Sequence, residues 1–107
     1  MILQHFVFFD SSSTGTTSNT LAVPIDAEAL SVQVTGNSSI DITVQGKADS
    51  ESGNWTTLSV LNLNGFGTAS KITADGIYMI GCSGLTQIRV VNGGTAGSVK
   101  VFGFLVK

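Results

Sequence analysis

Charge is what this chain has least of: Lys, Arg, Asp and Glu make up 11% of its 107 residues, where an ordinary soluble domain carries roughly 25%. A free monomer keeps itself dispersed with charges of both signs, and here Ser, Thr, Asn and Gly stand in their place. The deficit predicts a surface part of which other protein covers. Five basic residues are scattered among seven acidic ones, for a formal net charge of -2. No basic stripe exists to neutralise a phosphate backbone, so nucleic acid is not an expected partner. The single cysteine, Cys82, excludes an intrachain disulfide, and stability has to come from packing and assembly. Cys82 falls in the alternation Tyr78, Ile80, Cys82, which predicts a buried, inert thiol.

Long apolar runs are missing as well. Met1 to Phe9 is apolar but far shorter than the roughly 18 residues of a membrane span. It also has no basic leader and no small-residue cleavage pattern. It reads as neither span nor signal peptide, and no membrane partner is expected.

The residues of catalysis are equally sparse. The one histidine, His5, lies in the apolar first segment with no carboxylate or nucleophile near it in sequence, as a general base would need. No G-x-S-x-G turn exposes a serine, and the glycines sit singly at turns, which gives no phosphate-cradling loop. Asp49 and Glu51, with Ser50, Ser52 and Asn54, make an oxygen-rich loop. Its glycine, however, falls at the fifth position of such a loop and not the sixth that a calcium-binding EF-hand requires. A solvated hairpin tip is the reading of that loop. The chain is expected to be no enzyme, with no catalytic residue, cofactor or metal.

What the chain does have is alternation of period two, with no sustained 3.6-residue apolar period. Ile2 to Phe9 reads as a strand buried on both faces or laid against a partner. Asp10 to Thr20 is Ser/Thr-rich and reads as a surface loop or arm. Leu21 to Ile25 is a short strand that Pro24 places at an edge or strand end. Leu30, Val32 and Val34 share one face, Ile40, Ile42 and Val44 another. The Gly36-Asn37-Ser38 turn between the two runs predicts a hairpin. Further strands follow over Trp55 to Leu61 or Leu63, Ile77 to Cys82, Thr86 to Val91 and Ser98 to Val106, separated by turn residues.

About eight short strands at roughly ten-residue spacing predict an all-β fold, a single antiparallel sandwich of jelly-roll or immunoglobulin-like topology. Residues 1-20 form an apolar strand plus a Ser/Thr-rich loop, and 21-107 the sandwich. The closing strand carries Val99 and Val101 on one face and Phe102 and Phe104 on the other, so one of its faces needs a cover. Ile2, Leu3, Phe6, Phe8, Phe102 and Phe104 are therefore the candidate assembly contacts. Trp55 and Tyr78 are candidate glycan contacts, with core roles as the competing reading. Arg89, between Ile88 and Val90, points away from their face and is expected to pair with an acid on a neighbouring strand, the more usual case, or across a subunit boundary.

The stretch Val44 to Val101, with VQGKADSESGNWTTL, then DGIYMIGCSGLTQIRVV, a GGTAG turn and SVKVFG, resembles small β-sandwich virion proteins of tailed bacteriophages. The resemblance implies a structural component of the particle, made in the host bacterial cytoplasm and located in the virion: a head decoration protein, head fibre or tail-associated module. A compact, unadorned domain suits a capsid decoration protein that binds the head shell as a homo-oligomer, trimer or dimer. Its other partner would then be the major capsid protein. A tail or head-fibre connector and a carbohydrate-binding sandwich are the alternatives.

Overall fold

A computed structural model describes residues 4–10, 15–36, 40–48, 53–63, 65, 67–94 and 99–106. The described chain is all β: β1 (Gln4–Phe9), β2 (Leu21–Ala22), β3 (Ala29–Gly36), β4 (Ile42–Lys47), β5 (Thr56–Thr57), β6 (Val60–Asn62), β7 (Thr68–Ala69), β8 (Gly76–Gly81), β9 (Gln87–Asn92) and β10 (Val99–Val106). They form two antiparallel sheets, one of six strands in the order β1-β10-β3-β8-β6-β7 and one of four in the order β2-β9-β4-β5.

Alternation builds the interior. Leu30, Val32 and Val34 of β3 and Ile80 of β8 are fully buried from one sheet, and Ile42, Val44, Ile88 and Val90 of β4 and β9 from the other. Side chains of period two thus meet between two sheets, the arrangement that makes a sandwich core. Ile72, between β7 and β8, exchanges backbone bonds with Ile42 in both directions at 3.0 and 2.8 Å and is itself buried. It links the stretch leading into the larger sheet to the smaller one.

Several connections differ from the expected ones. The runs before and after Gly36 are not a hairpin: β3 already has β10 on one side and β8 on the other, leaving no edge for β4, which joins the second sheet. Ile40 packs into the corner so made, with its Cγ1 2.7 Å from where a Gly36 Cβ would stand. Asp75 holds the end of β3 there, its Oδ1 accepting the Gly36 N–H at 2.9 Å. The strand expected over Trp55 to Leu63 is two strands, because the chain changes sheets after Thr57. Leu58 N–H still donates to Val44 O, whereas Leu63 N–H donates to Ile77 O.

The N-terminal strand is no appended arm. It is an edge of the larger sheet, paired along β10 with a shift between Val7 and Phe9, and Phe8 and Phe9 belong to the core. The Ser/Thr-rich stretch is likewise tied down over Thr16 to Ser18. Thr17 bridges Val91, Ser18 N–H donates to Val90 O at 2.8 Å and Asn92 N–H to Thr16 O at 2.7 Å. Pro24 lies just past β2, an edge strand of the smaller sheet, as its missing N–H requires.

A candidate binding face

The outward side of the larger sheet is built from two cross-strand rows. Val7, Phe102, Gln33 and Ile77 stand opposite one another in one row, and His5, Phe104, Ser31, Met79 and Leu61 in the next. An antiparallel sheet that faces water usually presents polar side chains there. Here Val7, Ile77 and Phe104 are 39%, 39% and 37% exposed, three of the four exposed large hydrophobic residues among those described. His5 stacks on Phe102 with ring centroids 5.9 Å apart. Between the β10 aromatics and Ile77 runs a groove of about 260 Å³, with Ser31 and Gln33 of β3 among its lining residues. Such a face holds its place in a soluble chain when another surface covers it.

Of the candidate assembly contacts, Phe102 and Phe104 lie on this face, and Ile2 and Leu3 fall outside the described residues. Phe6 and Phe8 are a correction. The pleat sends His5 and Val7 outward and these two inward, their rings 4.8 Å apart, with Phe6 packed on the core and Phe8 buried within it. Val7, His5, Ile77 and Met79 complete the face instead. Val7 and His5 are legible from the parity of β1 once one inward residue is known; Ile77 and Met79 need the register with β3.

The glycan candidates lie elsewhere. Tyr78 points into the core and its hydroxyl donates to Ala74 O at 2.8 Å. Burial, and then the Asp75 charge, raise its pKa. No ring face is left for a sugar. Trp55 is half-buried, and its ring is engaged by two cations, the Arg89 guanidinium at 4.3 Å and the Lys47 ammonium at 4.8 Å from its centroid. Within the described chain Arg89 meets no acid on its neighbouring strand; its Nε donates to Gln45 Oε1 at 2.8 Å, its cross-strand neighbour on β4. Asp49 and Glu51 lie outside the described residues.

Cys82 is buried, and burial pushes its thiol up to about 11. Up to roughly pH 9 the thiol is protonated whether the chain is folded or not. From there to about 11 the unfolded chain releases a proton that the folded chain keeps, so stability falls as pH rises through that window. A disulfide reagent at pH 8 should label Cys82 slowly in the native protein and rapidly in denaturant. Native labelling at the free-thiol rate would contradict the burial.

The fold and the face define a class: a two-sheet β-sandwich with one unclothed apolar side. No protein-family model matches the chain, and no curated protein matches it. Among solved structures it is similar to the SPBc2 prophage-derived protein YomS, with a TM-score of 0.87 at 21% identity over 99% of this chain and 94% of that one. It is also similar to the PBSX exported protein XepA, with a TM-score of 0.81 at 20% identity, over 99% of this chain but 38% of that one. These likenesses establish a shared fold.

Proposed function

We propose that this chain is a structural protein of a tailed-phage particle, a decoration subunit that lies on the head shell and assembles with its own copies through the outward face of the larger sheet. The observation that carries the reading is the clustering of Val7, Ile77 and Phe104 on that one face, in a chain too poor in charge to keep such a surface bare. The likeness in fold to two phage-derived proteins supports the phage assignment. Repetition over a lattice multiplies weak contacts, so a modest apolar patch suffices for firm attachment.

The test is sedimentation of the purified chain alone and with expanded phage heads. Wild type should form an oligomer and pellet with heads. Ile77→Lys, which puts a charge in the middle of the face, should weaken both by at least about tenfold, the effect of a moderate interface residue. A wild-type chain that stays monomeric and ignores heads would overturn the proposal. A tail or head-fibre connector is the second reading, favoured by the recurrence of the fold over 38% of a longer chain. Labelling the chain in intact particles and imaging them separates the two.

A further inference from the structure

Among the described residues, three of the four exposed large hydrophobic side chains belong to the face just described; the fourth, Ile25, is fully exposed at the end of the sandwich. Its loop is built to hold it out. Ala27 N–H donates to Pro24 O at 3.1 Å, closing a β-turn with Ile25 and Asp26 at its two central positions. Both ends of the turn are tied to strands or their flanks: Val23 N–H donates to Thr86 O, Glu28 N–H to Val106 O, and Glu28 O accepts from Cys82 N–H. Ala27 is buried beneath it. The result is a fixed apolar knob flanked by acidic Asp26 and exposed Glu28.

The groove on the sheet face is its complement. At about 260 Å³ it is larger than the roughly 150 Å³ cavities that accept a benzene, so a branched aliphatic side chain fits. The charges match as well. Along β1, β3, β8 and β10 the outward-facing ionisable residues are His5 and Lys100, with Lys100 two residues from Phe102; the nearby carboxylate, Asp75 just before β8, is engaged by the Gly36 N–H. Among the described residues, the ion pair present is Lys71 with Asp41, which involves neither Lys100 nor Asp26.

We infer that copies of this chain join knob to groove, the turn of one seating Ile25 in the groove between Phe102, Phe104 and Ile77 of the next, with Asp26 facing Lys100. The inference rests on the assembly reading above and specifies its contact. Knob and groove lie on different parts of the surface, so each copy can offer both. Repeated in one direction, such a contact closes as a ring of three or more copies; made reciprocally by two copies, it gives a two-fold dimer, and the sedimenting mass tells the two apart.

The test uses two full-length variants, Ile25→Lys and Ile77→Lys, both at exposed positions where lysine leaves the core intact. Each alone should lose the assembly at concentrations where wild type is fully assembled. Mixed one to one, they retain one sound knob and one sound groove between them, so they should form heterodimers and stop there. A mixture that stays monomeric overturns the inference. So does Ile25→Lys assembling like wild type while Ile77→Lys does not, although the sheet face would then still be the assembly surface. A monomeric wild type would overturn the assembly reading itself. As an independent readout, Asp26→Lys and Lys100→Asp should each weaken association and their combination restore it; losses that merely add would refute the charge pairing.

Discussion

Phe8→Ala is expected to lower the stability of the folded chain by about 3–5 kcal/mol, the usual loss for removing a buried phenylalanine. The ring is 4% exposed and fills the space over Gly103 between the edge strand and Leu30. Small domains are stable by only about 5–15 kcal/mol, so the change removes at least about a fifth of the total. At several degrees per kcal/mol for a domain of this size, the melting temperature should fall by more than roughly ten degrees. A thermal melt followed by circular dichroism measures it. Unchanged melting combined with lost oligomer would instead return Phe8 to the outer surface.

Gly103→Ala should also destabilise, by about 1–3 kcal/mol. Its sign is the informative part. A glycine inside a strand is ordinarily a weak point, and alanine there would be expected to help slightly. Here a Cβ would stand 2.7 Å from Phe8 Cε2 and 3.1 Å from Leu30 Cδ1, so the ring or the strand must move. With Phe8 already alanine, the closest contact is gone and only the 3.1 Å approach to Leu30 Cδ1 remains, so Gly103→Ala should cost less. The two changes in urea unfolding should therefore be coupled by about 0.5–3 kcal/mol, the range for contacting residues. Simple additivity would show that the two groups do not touch.

Both residues show what the sequence makes legible. Alternation such as Leu30, Val32, Val34 or Tyr78, Ile80, Cys82 reports burial directly, because a strand with one face in the core repeats every second residue. The sandwich follows from counting such runs. Which sheet a strand enters is another matter. The Gly36 turn has every local mark of a hairpin, yet pairing was decided by β8 and β10, which arrive tens of residues later and occupy both sides of β3. Nothing between Trp55 and Leu63 marks the change of sheet, and two-residue β7 is too short to carry a pattern.

The candidate face was legible in proportion to locality. Phe102 and Phe104 declare themselves, because their strand is apolar on both sides. In β1 a nearly unbroken apolar run hides which parity faces inward, so that Phe6 and Phe8 read no differently from Val7. Ile77 and Met79 join the face only through register with Gln33 and Ser31. The meeting of Trp55, Arg89 and Gln45 joins β9 and β4 to the residue just before β5 and leaves no mark on any of the three stretches.

The pairing of β1 with β10 also sets an order of events during synthesis. The first described strand to leave the ribosome bonds to the last, so its aromatic run, QHFVFF, waits without a partner while all the rest is made. Long-range closures of this kind slow folding and leave intermediates prone to clump. A nascent chain truncated before Val99 should therefore depend on chaperones far more than the finished one.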